Sequence, residues 1–142
     1  MKRAVIDASV VLKWYLVDEE YSGKAIGLLD KYLSNEIEIL APSLLEYELI
    51  KGLIIAQKRG RVEEEKILEA VNGFISLEIR LKNLSLFYPK VLEYSRVYNW
   101  SVYDASYLAL ADKEGIILIT ADGELYDAVK KELKWVRWLG DI

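Results

Sequence analysis

The chain has 142 residues, of which 53% are hydrophobic and 30% charged, a balance that suits one folded domain rather than a disordered chain. It contains no cysteine and no histidine, which excludes disulfide frameworks, zinc–thiolate and iron–sulfur sites, thiol nucleophiles, Ser-His-Asp triads and imidazole ligands. The net charge of −4 is the wrong sign for an ordinary nucleic-acid binder, since phosphate attraction calls for a positive surface.

Catalysis is therefore left to Asp, Glu, Lys, Arg, Ser, Thr or Tyr, or to a metal held by oxygen atoms. No apolar run approaches the roughly 20 residues of a membrane helix. The N-terminus reaches Asp7 too early for a signal peptide, so the expectation is a cytoplasmic protein without membrane association.

In chain order, the first element is a short apolar strand from Arg3 to Asp7, ending in Asp7-Ala8-Ser9. Helices are predicted over Val10–Leu16 and Tyr21–Leu33, then a strand over Ile37–Leu40. Ala41-Pro42-Ser43 is expected to open a helix to about Arg59, because proline and serine commonly start helices. Gly60 breaks that helix, and Val62 to about Ile79 forms the next. Leu84–Phe87 is predicted as a strand, followed by helices over Tyr88–Tyr98 and Tyr103–Glu114, the second stopped by Gly115. The β-branched run Ile116–Thr120 predicts a strand buried on both faces. A short helix over Gly123–Lys131 and an edge strand over Trp135–Leu139 complete the chain. Strands alternating with helices imply an α/β fold with a mainly parallel sheet covered on both sides. Nothing in the composition marks a domain boundary, so residues 1–142 are expected to form a single domain.

Taken singly, the acidic residues near helix starts are ordinary caps. Their joint placement is more informative. Asp7 ends the first strand, and Asp122 lies just beyond the strand that closes at Thr120. Ligands of open parallel sheets bind outside the carboxyl ends of the strands. Asp104 opens the helix that runs back into strand 116–120, which returns it to the same edge. Glu48 sits about 8 Å along the helix after strand 37–40, again near that edge. Two carboxylates about 4 Å apart repel by about 4 kcal/mol at an effective dielectric of 20, so such a cluster calls for a cation. The ligands are hard oxygens, with the Ser9 and Thr120 hydroxyls close by, and suit Mg²⁺ or Mn²⁺ rather than zinc. Such ions generate a hydroxide nucleophile, stabilise displacement at phosphorus and reverse the local field, which makes a phosphodiester substrate plausible.

Val5-Ile6-Asp7-Ala8-Ser9-Val10, Lys13-Trp14-Tyr15, Ala41-Pro42 with Glu48 six residues after the proline, Val102-Tyr103-Asp104-Ala105-Ser106-Tyr107-Leu108-Ala109-Leu110-Ala111 and Ile119-Thr120-Ala121-Asp122 together resemble the PIN-domain family. Within it the likeness is to the prokaryotic VapC-type toxins, and it spans essentially the whole chain. The resemblance implies a three-layer PIN-like nuclease domain with Mg²⁺- or Mn²⁺-dependent ribonuclease activity. It also implies a homodimer and a small antitoxin protein as partner. By position, Asp7, Glu48, Asp104 and Asp122 would form the acidic site, with Asp7 and Asp104 touching metal directly. Glu48 and Asp122 would hold a second ion or orient water, supported by Thr120 and Ser9. Glu46 competes with Glu48, and only the family spacing after Pro42 favours the latter; Asp127 is a weaker competitor.

Other features stay open. Lys58-Arg59-Gly60-Arg61 is read as a solvated turn before an RNA contact, and Lys13 as either a phosphate contact or a surface lysine. The ten tyrosines and four tryptophans point to packing or an interface, with none placed as a stacking platform. The alternative function is a catalytically silent PIN-like module that binds RNA or protein. A haloacid-dehalogenase-like phosphatase lacks the second Asp two residues after Asp7, and a mononucleotide fold lacks a Gly-rich loop after the first strand.

Overall fold

The computed structural model describes residues 2–142. Strand β1 (Lys2–Ile6) leads into helices α1 (Ala8–Tyr15) and α2 (Ser22–Leu33), followed by β2 (Ile37–Pro42), α3 (Leu45–Lys58) and α4 (Glu64–Ser76). The chain continues through β3 (Arg80–Lys82), α5 (Tyr88–Tyr98), α6 (Val102–Glu114), β4 (Ile117–Thr120), α7 (Gly123–Val129) and β5 (Val136–Trp138). The strands form one sheet in the order β3-β2-β1-β4-β5, and every neighbouring pair is parallel. The α/β expectation holds, with a sheet wholly rather than mainly parallel.

The core follows from composition. Ala4, Val5 and Ile6 of β1 and Leu118, Ile119 and Thr120 of β4 are buried, as central parallel strands covered on both faces must be. The connection from β1 to β2 carries α1 and α2, whereas the connection from β3 to β4 crosses the sheet the other way and carries α5 and α6. Right-handed crossovers put these two pairs on opposite faces. Helix α6 packs against β1, β2, β4 and α5, and all seven residues from Ala105 to Ala111 are buried. A helix apolar around its whole circumference belongs inside a domain, not on its surface. It ends where Gly115 takes the left-handed conformation (φ 67°) that its missing Cβ permits.

Two expected elements are corrected. Ala41 and Pro42 do not open α3 but finish β2, paired with Leu81 and Lys82. Register with β1 ends at Leu40, while the Ser43 N–H donates to the Lys82 carbonyl on the other side. Backbone groups alternate along a strand, so the donor that Pro42 lacks would have pointed where β1 has already ended. The third strand is Arg80–Lys82 rather than Leu84–Phe87, and Leu84–Leu86 forms a 3₁₀ turn. Leu84 and Leu86 are exposed, and only Phe87, at the entry to α5, is buried. The apolar run that suggested a strand is a helix entry.

Candidate active site

The chain leaves β1 towards β2 and leaves β4 towards β5, so the carboxyl ends of these adjacent strands border the crevice of a topological switch point. Asp7 sits at this point as the N-cap of α1, 7% exposed. Its Oδ1 accepts from the Ser9 hydroxyl (2.5 Å) and from the Val10 N–H (3.4 Å), and its Oδ2 accepts from the Thr120 hydroxyl (2.5 Å). Each hydroxyl is itself fixed from the β4 side. The Ala121 N–H donates to Ser9 Oγ (2.9 Å), and the Asp122 N–H donates to Thr120 Oγ1 (3.0 Å). Burial pushes the Asp7 carboxyl up to about 6; the two hydroxyls and the Val10 amide pull against burial, and the Asp122 charge adds to it.

Asp122 caps α7, its Oδ1 accepting from the Glu124 and Leu125 amides at 3.0 and 3.2 Å. Asp104 lies in the first turn of α6, where its N–H donates to Oγ of the capping Ser101 (3.2 Å). Its carboxyl is raised by partial burial and by the charges of Asp122 and Glu124, against a lowering hydrogen bond with Ser101. On α3, Glu48 accepts a 2.6 Å hydrogen bond from the Tyr107 hydroxyl through Oε1. Burial raises Glu48 first; Tyr107 lowers it, Asp104 raises it and Lys51 lowers it. Repulsion therefore links Asp7 to Asp122, Asp122 to Asp104, and Asp104 to Glu48, so all the anticipated acids face one region. Three of them, Asp7, Asp104 and Asp122, also sit at positive helix ends, which partly offsets that repulsion.

The competing residues separate cleanly. Glu46 lines a hollow with Tyr47, Val71, Phe74 and Ile75, and Asp127 pairs with Lys130 at 3.1 Å on the surface. Lys13 is bound to Glu19 at 3.3 Å, and Arg61 holds both Asp18 and Glu19. The basic turn is thus an exposed feature whose last arginine ties it to the α1–α2 loop. Sequence reasoning missed Tyr107, buried and in contact with Glu48, and Ser101. The motif Ser101-Val102-Tyr103-Asp104, a helix-capping pattern, would have located Ser101. Tyr107 had no such signal, because its partner lies 59 positions away.

The donor set fits a hard divalent ion in one specific way. Every candidate ligand is a carboxylate or hydroxyl oxygen, and neighbouring acid charge adds to the burial that raises Asp7, Glu48 and Asp104, so a cation there relieves repulsion. Among the described residues, no group of three or more acidic side chains closes into a metal-sized cage.

Fold and site together define a parallel α/β domain with an acidic cluster at its switch point. The PIN domain family profile matches residues 4–131, and the chain belongs to the PIN-domain family. It is 33% identical over 128 residues to Ribonuclease VapC3 of Pyrobaculum aerophilum, covering 87% of this chain and 92% of that protein. Ribonuclease VapC12 of Mycobacterium tuberculosis is 30% identical over 121 residues, covering 85% and 88%, and Ribonuclease VapC1 of the same species is 30% identical over 147 residues, covering 96% and 100%. The crystal structure of PAE2754 from Pyrobaculum aerophilum shares the fold, with a TM-score of 0.67 at 23% identity over 99% of this chain and 92% of that one.

Proposed function

We propose that this chain is a Mg²⁺- or Mn²⁺-dependent endoribonuclease and the toxin of a type II toxin–antitoxin pair, a cytoplasmic homodimer restrained by a small antitoxin protein. The similarity to VapC ribonucleases supports the activity class, RNA as substrate and an antitoxin as partner. The observation that carries the reading is the buried Asp7 carboxylate at the switch point, held by two hydroxyls and pressed by a neighbouring acid.

In this reading Asp7 and Asp104 would hold the ion, which when bound would supply a nucleophile at neutral pH and charge for in-line displacement at phosphorus. Ser9 and Thr120 fix the Asp7 carboxylate, so it needs no reorganisation when the substrate arrives. Tyr107 occupies Glu48 Oε1 and leaves Oε2 to orient water or take its proton. Asp122 spends Oδ1 on the α7 amides and keeps Oδ2 for the site.

The test is cleavage of a fluorescent RNA panel with Mn²⁺ or Mg²⁺ against EDTA, with Asp7→Asn as control. Metal-dependent cleavage lost in the variant supports the nuclease. Absence of both cleavage and metal binding would favour the silent binding module.

A further inference from the structure

A cleft of about 440 Å³ opens beside the acidic cluster, lined by Leu44, Tyr47, Glu48, Lys51 and Tyr103. Its size falls in the usual range for small-ligand sites, about 300–1,000 Å³. Glu48 belongs to both cleft and acidic cluster, and Tyr103 directly precedes Asp104 on α6, so the cleft adjoins the proposed active site.

The two tyrosines are unlike most of the others. Tyr15, Tyr21, Tyr94, Tyr98 and Tyr126 pack against other aromatic rings, Tyr32 donates to the Leu77 carbonyl, and Tyr107 is buried on Glu48. Tyr47 and Tyr103 are 79% and 62% exposed, on first turns of α3 and α6 that meet at the site. A large aromatic surface exposed beside a site for charged substrate suits a flat, polar-edged occupant. Lys51 adds a positive charge in a chain of net −4.

We propose that Tyr47 and Tyr103 flank and stack on an unpaired nucleobase next to the scissile phosphate, with Lys51 on a backbone phosphate. This rests on the nuclease reading and assigns the residues that hold the base. A base in a duplex is already stacked on both faces, whereas a splayed base presents its π-faces to aromatic side chains. Stacking tolerates any base, so the clamp selects strandedness more than sequence.

The experiment measures binding of a labelled single-stranded RNA and its matched duplex in EDTA, then metal-dependent cleavage of the single strand. Native protein is compared with Tyr47→Ala, Tyr103→Ala, Tyr47→Trp and Lys51→Ala, with association state followed by sedimentation. Each alanine variant at a tyrosine is expected to weaken single-strand binding by about five- to hundredfold and to raise KM with little change in kcat. Tryptophan restores binding, duplex affinity stays low and unchanged, and Lys51→Ala lowers the salt slope by roughly one. Unaltered binding and KM in both alanine variants, alongside metal-dependent cleavage, would overturn the clamp and leave the nuclease intact. Weakened binding that tracks dissociation into monomers would also overturn it, assigning the tyrosines to an interface between copies. Tyrosine-dependent binding without any cleavage would sustain the clamp while removing the nuclease reading.

Discussion

Replacing Asp7 by asparagine should make the metal-free protein more stable at neutral pH, although it removes the central group of the proposed site. The native carboxyl titrates at about 6, against 3.8 for an unperturbed aspartate. At about 1.4 kcal/mol per unit, the difference of roughly two units corresponds to about 3 kcal/mol. The pKa is raised in the folded state, so the native protein holds this proton more tightly than the unfolded chain does. Its contribution is complete below pH 3.8 and is lost as pH rises through 6. Asparagine carries no charge at any pH and escapes that loss. Against this, an amide replaces one of the two oxygens that accept from Ser9 and Thr120, and the mismatch costs about 1 kcal/mol. The net expectation is a gain of about 2 kcal/mol at pH 7.5, or about 6 °C in Tm for a chain of this length, turning to a deficit of about 0.5 kcal/mol near pH 4. Urea and thermal melts of chelator-treated native and variant protein at pH 4, 5.5 and 7.5 measure it. A variant no more stable than native at pH 7.5, with no trend across the series, would refute the argument that Asp7 is held against its own charge. Saturating Mn²⁺ at pH 7.5 should raise the native Tm and leave the variant nearly unmoved.

Tyr107→Phe removes the donor to Glu48 Oε1 and should lower stability by about 1–2 kcal/mol, read by denaturant melts, with kcat falling more than KM changes. Thr120→Val keeps the shape but strands the Asp122 N–H and Asp7 Oδ2, so a loss of about 2–3 kcal/mol is expected, mostly recovered by Thr120→Ser. Arg61→Ala should leave RNA affinity and its salt slope unchanged, because Asp18 and Glu19 occupy the guanidinium; a reduced slope would return the basic turn to the RNA surface.

The sheet's centre was legible because its strands are unmistakable: Val5-Ile6 and Ile117–Thr120 are continuous apolar runs that end in small polar residues. Those runs also placed Asp7 and Asp122 on one edge, since the end of a buried parallel strand is where ligands gather. The edge strand β3 was not legible. Its three residues, Arg80-Leu81-Lys82, have no apolar pattern and are a strand only because β2 offers them a parallel partner. Pro42 was read by its helix-starting habit, whereas the end of β1's pairing is what makes it tolerable in β2. The choice between Glu46 and Glu48 needed the orientation of α3 against α6. The Tyr47–Tyr103 cleft joins first turns of helices that only the tertiary fold brings side by side.

The hydroxyl ties around Asp7 have a consequence for when the acidic site comes into being. Ser9 is bonded to Ala121, and Asp7 to Thr120 across 113 positions of sequence, so the site is a gauge of correct pairing between β1 and β4. A slip of one residue would turn the Thr120 hydroxyl to the opposite face of the sheet. A chain emerging from the ribosome carries Asp7 early, yet lacks the hydroxyl and amide partners of that carboxylate until its last third has been made and threaded beside the first strand. Contacts this distant in sequence form late, so the ordered carboxylate arrives with the finished fold and leaves with the first local opening of the sheet's central seam.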